Sequence, residues 1–130
     1  MRALRTYSII GVGSALGGVA RYLCGTVAAH WVPGFPWGTL LVNVMGSLVI
    51  GCCATLTGPD GRVYVRTLGR QFVMIGLCGG YTTFSAFSLE TLQLLRAHRP
   101  AAAVAYVLLS LLLGLIAVWL GHAAAQRINQ

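Results

Sequence analysis

The feature that constrains this chain most is the stretch at residues 76–87, GLCGGYTTFSAF, which places two adjacent glycines and a run of hydroxyls inside an otherwise apolar segment of helical length. In a bilayer core each unpaired backbone amide or carbonyl costs several kcal/mol. Irregular backbone persists there only where it is buried in protein or lines a polar path. A helix broken near the middle of a membrane therefore predicts an ion site.

The composition places the chain in a membrane. Hydrophobic residues make up 57% of the chain and charged residues 8%, and the mean hydropathy is +0.78. Residues 22–59 contain no Asp, Glu, Lys or Arg, which leaves room for two spans of about 20 residues each. The net charge of +7 comes from nine arginines, most of them near the ends of apolar runs, and no basic face interleaved with aromatics is present. This pattern favours anionic lipid headgroups as partners and argues against nucleic acid.

The apolar runs predict an all-α membrane protein, a single domain over residues 1–130 with four transmembrane helices. We expect these helices at about 4–29, 37–56, 62–95 and 100–125, with a loop at 30–36 and a break near the middle of the third helix, around 79–83. Arg62, Arg66 and Arg70 recur every four residues and predict one basic helical face. Pro100 suits the first turn of the fourth helix, where its missing N–H is not needed. The first run is too long for a signal-peptide core and three spans follow it, so we interpret it as a retained helix.

Small residues recur at four-residue spacing in the first two helices. They are Gly13 and Gly17 in the first helix and Ser47 and Gly51 in the second. Small side chains let helix backbones approach closely, either within one chain or between chains, and the spacing alone supports both alternatives equally. Four helices from 130 residues enclose little space, so we expect oligomerisation.

Three separated motifs carry a specific resemblance to a known family. They are GGVARY at 17–22, GTLLVNVMGS at 38–47 and GLCGGYTTFSAF at 76–87. With the chain length, the four-helix layout and the order of the motifs, they resemble the CrcB/Fluc family of fluoride ion channels over nearly the whole chain. The resemblance implies a passive fluoride-selective channel of the inner membrane that lowers cytoplasmic fluoride. It also implies a dual-topology homodimer of antiparallel protomers in membrane lipid, with two fluoride pathways and a central structural sodium ion.

The chemistry of the second motif is compatible with that function. A path for fluoride has to replace the water around a small hard anion with hydrogen-bond donors. Asn43 offers two amide N–H donors in an apolar helix, and Thr39 adds a hydroxyl one turn earlier on the same face. The alternative for Asn43 is a hydrogen bond between helices that involves no ion.

Further pathway residues follow from the resemblance. Phe84 and Phe87 share a helical face after the break and match the paired pore phenylalanines of the family; the positive edge of an aromatic ring can contact an anion. Tyr106 and Ser110 look like the polar track of the family, although Gly114 continues the fourth helix without a hydroxyl.

The resemblance assigns the third motif two roles. The backbone carbonyls of Gly79 and Thr82 from two protomers would hold the sodium ion, because hard oxygen ligands suit a hard cation. Thr83 is counted with the fluoride pathway. The alternative is a glycine kink that only lets helices cross.

Arg21 and Glu90 are charges within or near spans, which makes them functional candidates. The position of Glu90, one turn beyond Phe87, resembles a vestibule position of the family. Arg21 either attracts anions or extends its guanidinium to the interface. Glu90 either lines the vestibule or pairs with an arginine. With two acidic residues in the chain, we find no general acid–base pair, and the sequence predicts a protein that is not an enzyme.

Two rival classes remain open. A small proton-coupled drug exporter can share this size and a dual topology, but it needs a titratable carboxylate in its early spans, and the first two helices contain none. A non-transporting assembly subunit would use the same polar residues only to fasten helices together. Six arginines lie toward one end of the predicted bundle and three toward the other, so either some of these side chains lie within the membrane zone or one orientation of insertion is preferred.

Overall fold

The computed structural model describes residues 1–31 and 34–130, apart from the side chains of residues 29–31. Helix α1 is Arg2–Trp31, α2 is Trp37–Leu56, α4 is Phe84–Arg96 and α5 is Pro100–Asn129. Helix α3 covers residues 67–81 and has three parts, Thr67–Arg70, a π-helical segment Gln71–Cys78, and Gly79–Tyr81. Together α3 and α4 form the third of four spans that are long and apolar enough to cross a membrane. The prediction of an all-helical four-span protein is confirmed, and positions 32 and 33 of the expected loop lie outside the described residues.

The four spans form two parallel pairs. Gly13 of α1 packs against Gly76 of α3, and four residues later Gly17 packs against Gly80, so these helices run in the same direction. A Cβ atom on Gly17 would lie 2.3 Å from the Leu77 carbonyl oxygen, so only glycine permits this backbone contact. Gly13 and Gly17 therefore pack within the chain.

Helices α2 and α5 form the second pair. A Cβ atom on Gly51 of α2 would lie 2.3 Å from the Val118 carbonyl oxygen, and one on Gly121 of α5 would lie 2.2 Å from the Leu48 carbonyl oxygen. The contact is again backbone to backbone, so Gly51 also packs within the chain. The close seam between α2 and α5 is the scaffold on which the polar residues of both helices are placed.

The connection at 57–66 differs from the predicted basic helical face. Arg62 and Arg66 precede the helix, and of the three arginines only Arg70 lies in α3, so the prediction was wrong. The Arg62 amide donates to Asn129 Oδ1 at 3.0 Å, and the Val63 amide donates to the Leu56 carbonyl at 3.1 Å. These bonds fold the segment back onto the ends of α2 and α5, so the third span begins at Thr67 instead of near residue 62.

The loop between α4 and α5 closes through His98. His98 adopts a left-handed backbone conformation with φ 55°, and its amide donates to the Leu95 carbonyl at 3.0 Å. This arrangement satisfies carbonyls left over at the end of α4. Pro100 lies in the first turn of α5, as predicted.

Candidate functional site

The break in the third span is two residues long. Thr82 and Thr83 have extended backbones, with φ/ψ of −84°/156° and −153°/119°. Gly79 keeps helical angles, and Gly80 packs so closely on α1 that a Cβ atom there would lie 2.4 Å from the Ser14 carbonyl oxygen. Gly80 therefore serves helix crossing, while the threonines carry the break.

Asn43 of α2 holds the break open. The Thr83 amide donates to Asn43 Oδ1 at 2.8 Å, and Asn43 Nδ2 donates to the Thr83 carbonyl at 3.1 Å. Both backbone groups of Thr83 are thus satisfied by one side chain. The hydrogen bond between helices that sequence reasoning treated as an alternative for Asn43 is present, and the amide nitrogen retains a second hydrogen.

This arrangement changes the surroundings of Gly79. In an uninterrupted helix the Thr83 amide would donate to the Gly79 carbonyl. Here that amide is bonded to Asn43, so the helix does not supply its usual donor to Gly79. Gly79 and Thr82 line a cleft of about 310 Å³ together with Asn43 and Phe84. The structure therefore brings the two predicted cation ligands together at one cavity.

The carbonyl donor set suits a hard cation. Among the described residues no group of three or more His, Cys, Asp or Glu side chains could hold a metal ion. A cation at the cleft would bind oxygens from the backbone, which are the ligands that hard cations prefer. Thr82 keeps its own hydroxyl on the Cys78 carbonyl at 2.9 Å, so its backbone carbonyl is the group to consider as a ligand.

Thr83 belongs to the break and also caps the helix that follows it. Its side chain is 8% exposed, and its hydroxyl oxygen accepts from the Ala86 amide at 3.1 Å, which caps the first turn of α4. The Ser85 hydroxyl lies 3.2 Å from the same oxygen. Thr83 therefore fixes the direction in which α4 leaves the break.

Glu90 is held by two hydroxyls. Thr39 of α2 donates to Glu90 Oε1 at 2.7 Å, and Tyr106 of α5 donates to Glu90 Oε2 at 2.6 Å. Tyr106 is fully buried. The partners of Glu90 are therefore hydroxyl groups, and the arginine pair considered from the sequence does not form among the described contacts. Sequence reasoning placed Thr39 and Tyr106 on polar faces but missed this shared carboxylate.

The two phenylalanines after the break are in contact but have different surroundings. The Phe84 and Phe87 ring centroids lie 5.4 Å apart, and the Phe87 centroid lies 5.2 Å from that of Tyr106. Phe87 packs against the core beside Tyr106, whereas the Phe84 side chain is 76% exposed. The shared helical face therefore runs from the core of the chain to its surface.

Arg21 and Glu90 line a second cleft, of about 630 Å³, with Thr39 and Thr83. It lies near the end of the bundle where α1 leads to α2. Ser110 is one turn beyond Tyr106 on α5, and its hydroxyl oxygen is buried without a hydrogen-bond partner in the described part of the chain. The predicted site residues other than Phe87, Tyr106 and Ser110 line these two clefts, and Thr83 lines both of them.

This fold and site define a class, a four-span membrane protein with a polar break in its third span. Residues 8–122 match the family described as CrcB-like protein, Camphor Resistance (CrcB), and the chain belongs to this family. It is 53% identical over 126 residues to the fluoride-specific ion channel FluC of Rhodospirillum rubrum, covering 96% of this chain and 98% of that protein. It is 56% identical over 124 residues to the fluoride-specific ion channel FluC of Opitutus terrae, covering 95% and 94% of the two chains. The fluoride-specific ion channel FluC 1 of Bradyrhizobium diazoefficiens is 53% identical over 129 residues, covering 99% of this chain and 90% of that protein.

Proposed function

We propose that this multi-pass membrane protein is a passive fluoride-selective ion channel of the inner membrane, and not an enzyme. The observation that carries the proposal is the full-length similarity to proteins named fluoride-specific ion channels, combined with a third span that is broken at Thr82 and Thr83. In the cell, passive efflux would lower fluoride that has entered as neutral HF. A deletion strain should therefore be sensitive to fluoride.

The fluoride pathway that we propose is lined by hydrogen-bond donors and contains no positively charged side chain beside the break. The second N–H of Asn43 and the hydroxyls of Thr83 and Ser110 would replace water around the ion. The Tyr106 hydroxyl would join them by releasing Glu90, to which it donates its only hydrogen. The edges of Phe84 and Phe87 would add positive potential without a deep trap.

Two charged residues and a further hydroxyl complete the proposed route. Arg21 would raise the local anion concentration in the cleft of about 630 Å³. Thr39 has one hydroxyl hydrogen, which it donates to Glu90, so it would turn away from that carboxylate to donate to fluoride in the same cleft.

We propose that sodium is structural at the cleft of about 310 Å³. The carbonyls of Gly79 and Thr82 would hold it, and the bound ion would supply positive potential beside the anion path. The support is the diversion of the Thr83 amide to Asn43 and the position of both carbonyl-bearing residues at one cavity.

We further propose that two protomers assemble in opposite orientations in membrane lipid. The exposed Phe84 ring and the open space around Gly79, where a Cβ atom would meet nothing within 4 Å, form a surface next to the cleft. A second copy packed on this surface would shield the polar break from lipid. Dual insertion is compatible with the family, while the excess of arginines at one end favours one orientation for a single chain.

A fluoride-electrode efflux assay on purified protein in liposomes tests the channel proposal, with chloride as the control anion. Fluoride should leave down its gradient without a proton gradient or a partner protein, and chloride should be retained because it is larger and a weaker hydrogen-bond acceptor. Proton-dependent flux would indicate an exporter instead. Absence of flux would favour an assembly subunit, and equal flux of both halides would refute selectivity.

A further inference from the structure

The hydroxyl track of α5, formed by Tyr106 and Ser110, ends at a point where α2 carries a hydroxyl side chain. Helices α2 and α5 run parallel in a constant register, since Thr55 contacts His122 at a separation of 67 positions. Gly51 meets Val118 at the same separation, and Ser47 faces Gly114. Tyr106 and Ser110 bear hydroxyls, but the next position on that face of α5 is Gly114.

Ser47 occupies the space in front of the missing side chain. A Cβ atom built on Gly114 would lie 3.8 Å from Ser47 Oγ, with no closer neighbour. Ser47 also lines the cleft of about 310 Å³ with Asn43 and Thr82. Its hydroxyl therefore lies between the end of the α5 track and the cavity at the break.

The same register connects the preceding turn. Equal rise along two parallel helices places Ser110 opposite Asn43, one turn before the contact of Ser47 with Gly114. The buried Ser110 oxygen has no hydrogen-bond partner among the described residues. An unpartnered buried hydroxyl next to an amide donor indicates a place where a further polar species binds.

We propose that Ser47 is a pathway residue that supplies the donor α5 lacks at Gly114, so that the polar track crosses from α5 to α2. The inference rests on the proposed fluoride channel function. The Ser47 hydroxyl donates to the Asn43 carbonyl at 2.7 Å, the ordinary bond of a helical serine to the carbonyl four residues earlier. Rotation about χ1 redirects that hydrogen to an anion, while the helix continues to satisfy the carbonyl. A bond to an anion is the stronger of the two.

The test removes the hydroxyl from α2 and then restores the lost fluoride flux with a hydroxyl on α5. Ser47→Ala should lower fluoride efflux in liposomes about tenfold or more, because a donor to a charged group is lost. Adding Gly114→Ser to that variant should restore most of the flux, since the new hydroxyl enters the same space and the 3.8 Å distance leaves room for it. A merely structural role of Ser47 would not be repaired in this way, because residue 114 is on another helix and cannot remake the bond to the Asn43 carbonyl.

Ser8→Ala is the matched control. The Ser8 hydroxyl makes the same bond, to the Leu4 carbonyl at 2.9 Å, on an exposed face of α1, so its removal should leave flux unchanged. Normal flux in Ser47→Ala overturns the proposal. So does a loss that Gly114→Ser fails to repair, or a Ser47→Ala protein that no longer folds. If the unmodified protein conducts no fluoride, the channel function itself is refuted, and this result is distinguishable from all of the others.

Discussion

Asn43 and Thr83 are joined by two hydrogen bonds, of 2.8 and 3.1 Å, that satisfy both backbone polar groups of Thr83. A bilayer core offers no water for this purpose, so a helix broken at that depth needs a protein partner. One side chain of α2 therefore stabilises the break and also diverts the amide that would otherwise occupy the Gly79 carbonyl.

Replacing Asn43 should affect stability and transport in separable ways. Asn43→Ala leaves two buried backbone groups unpaired, and we expect the free energy of unfolding to fall by about 2 kcal/mol or more. Asn43→Asp keeps the acceptor for the Thr83 amide but loses the donor and adds a negative charge, so fluoride flux should vanish with a smaller loss of stability. Thermal unfolding in detergent and liposome efflux measure the two effects. Gln93→Ala, on the exposed side of α4, is the control. An Asn43→Ala protein of normal stability would contradict a stabilising role for the two hydrogen bonds between Asn43 and Thr83.

The adjacent glycines of the third span should respond differently to the same added methyl group. A Cβ atom on Gly80 would lie 2.4 Å from the Ser14 carbonyl oxygen, so Gly80→Ala should separate α1 from α3 and reduce the yield of folded protein. A Cβ atom on Gly79 meets nothing within 4 Å of the single chain, so Gly79→Ala should fold normally. If a second protomer packs there, that variant will lose dimer and flux while keeping its helical content. Size-exclusion chromatography and circular dichroism distinguish these results, and equal behaviour of the two variants would contradict the assignment.

Exposure separates the two phenylalanines. Phe84→Leu removes a ring that is 76% exposed, so the stability of the chain should be unchanged. Phe87→Leu removes a contact with the Tyr106 ring at 5.2 Å and should cost about 1 kcal/mol. Both variants should depress fluoride flux, because the electropositive ring edge is lost while most of the apolar volume remains. Trp119→Leu, on an exposed face of α5, controls for loss of an aromatic residue, and normal flux in both phenylalanine variants would return the rings to a packing role.

Local patterns in the sequence predicted the four spans and the position of the break to within a few residues. The signals involved, hydropathy and the helix-starting Pro100, depend only on residues that are neighbours in the sequence. The paired hydrogen bonds between Asn43 and Thr83 could not be predicted in the same way, since the two residues are 40 positions apart. Asn43 was recognisable as a donor in an apolar helix, but only the packing of α2 identifies its partner. The predicted basic helical face failed for a related reason. The bond from Arg62 to Asn129 spans 67 positions and holds the segment outside the helix.

The carboxylate of Glu90 gives a prediction about coupling between residues. Thr39 and Tyr106 donate to its two oxygens, so each single change leaves the other bond in place. Tyr106→Phe should destabilise the chain by about 1–3 kcal/mol, because a buried donor to a charged group is lost. In a Glu90→Gln background the same change should cost clearly less, and a double-mutant cycle of thermal unfolding measures the difference. Additive effects would show that the hydroxyl and the carboxylate do not interact in the membrane.

The proposed sodium site predicts that dimer stability and fluoride flux depend on which cation is present, without the involvement of a titratable side chain. If the carbonyls of Gly79 and Thr82 hold sodium in a small rigid cage, replacing sodium by a larger cation should lower dimer stability or fluoride flux, while the fluoride gradient remains the driving force. Thr82→Ser should be mild, because the backbone carbonyl is the ligand and serine keeps the hydroxyl that now bonds the Cys78 carbonyl at 2.9 Å. Gly79→Trp should abolish the cation dependence and the flux together, because a large side chain fills the space beside the cleft. A density map with only water at the dimer centre, and transport indifferent to sodium, would contradict the site. The fluoride function would stand in that case, because its pathway residues do not include the two carbonyls.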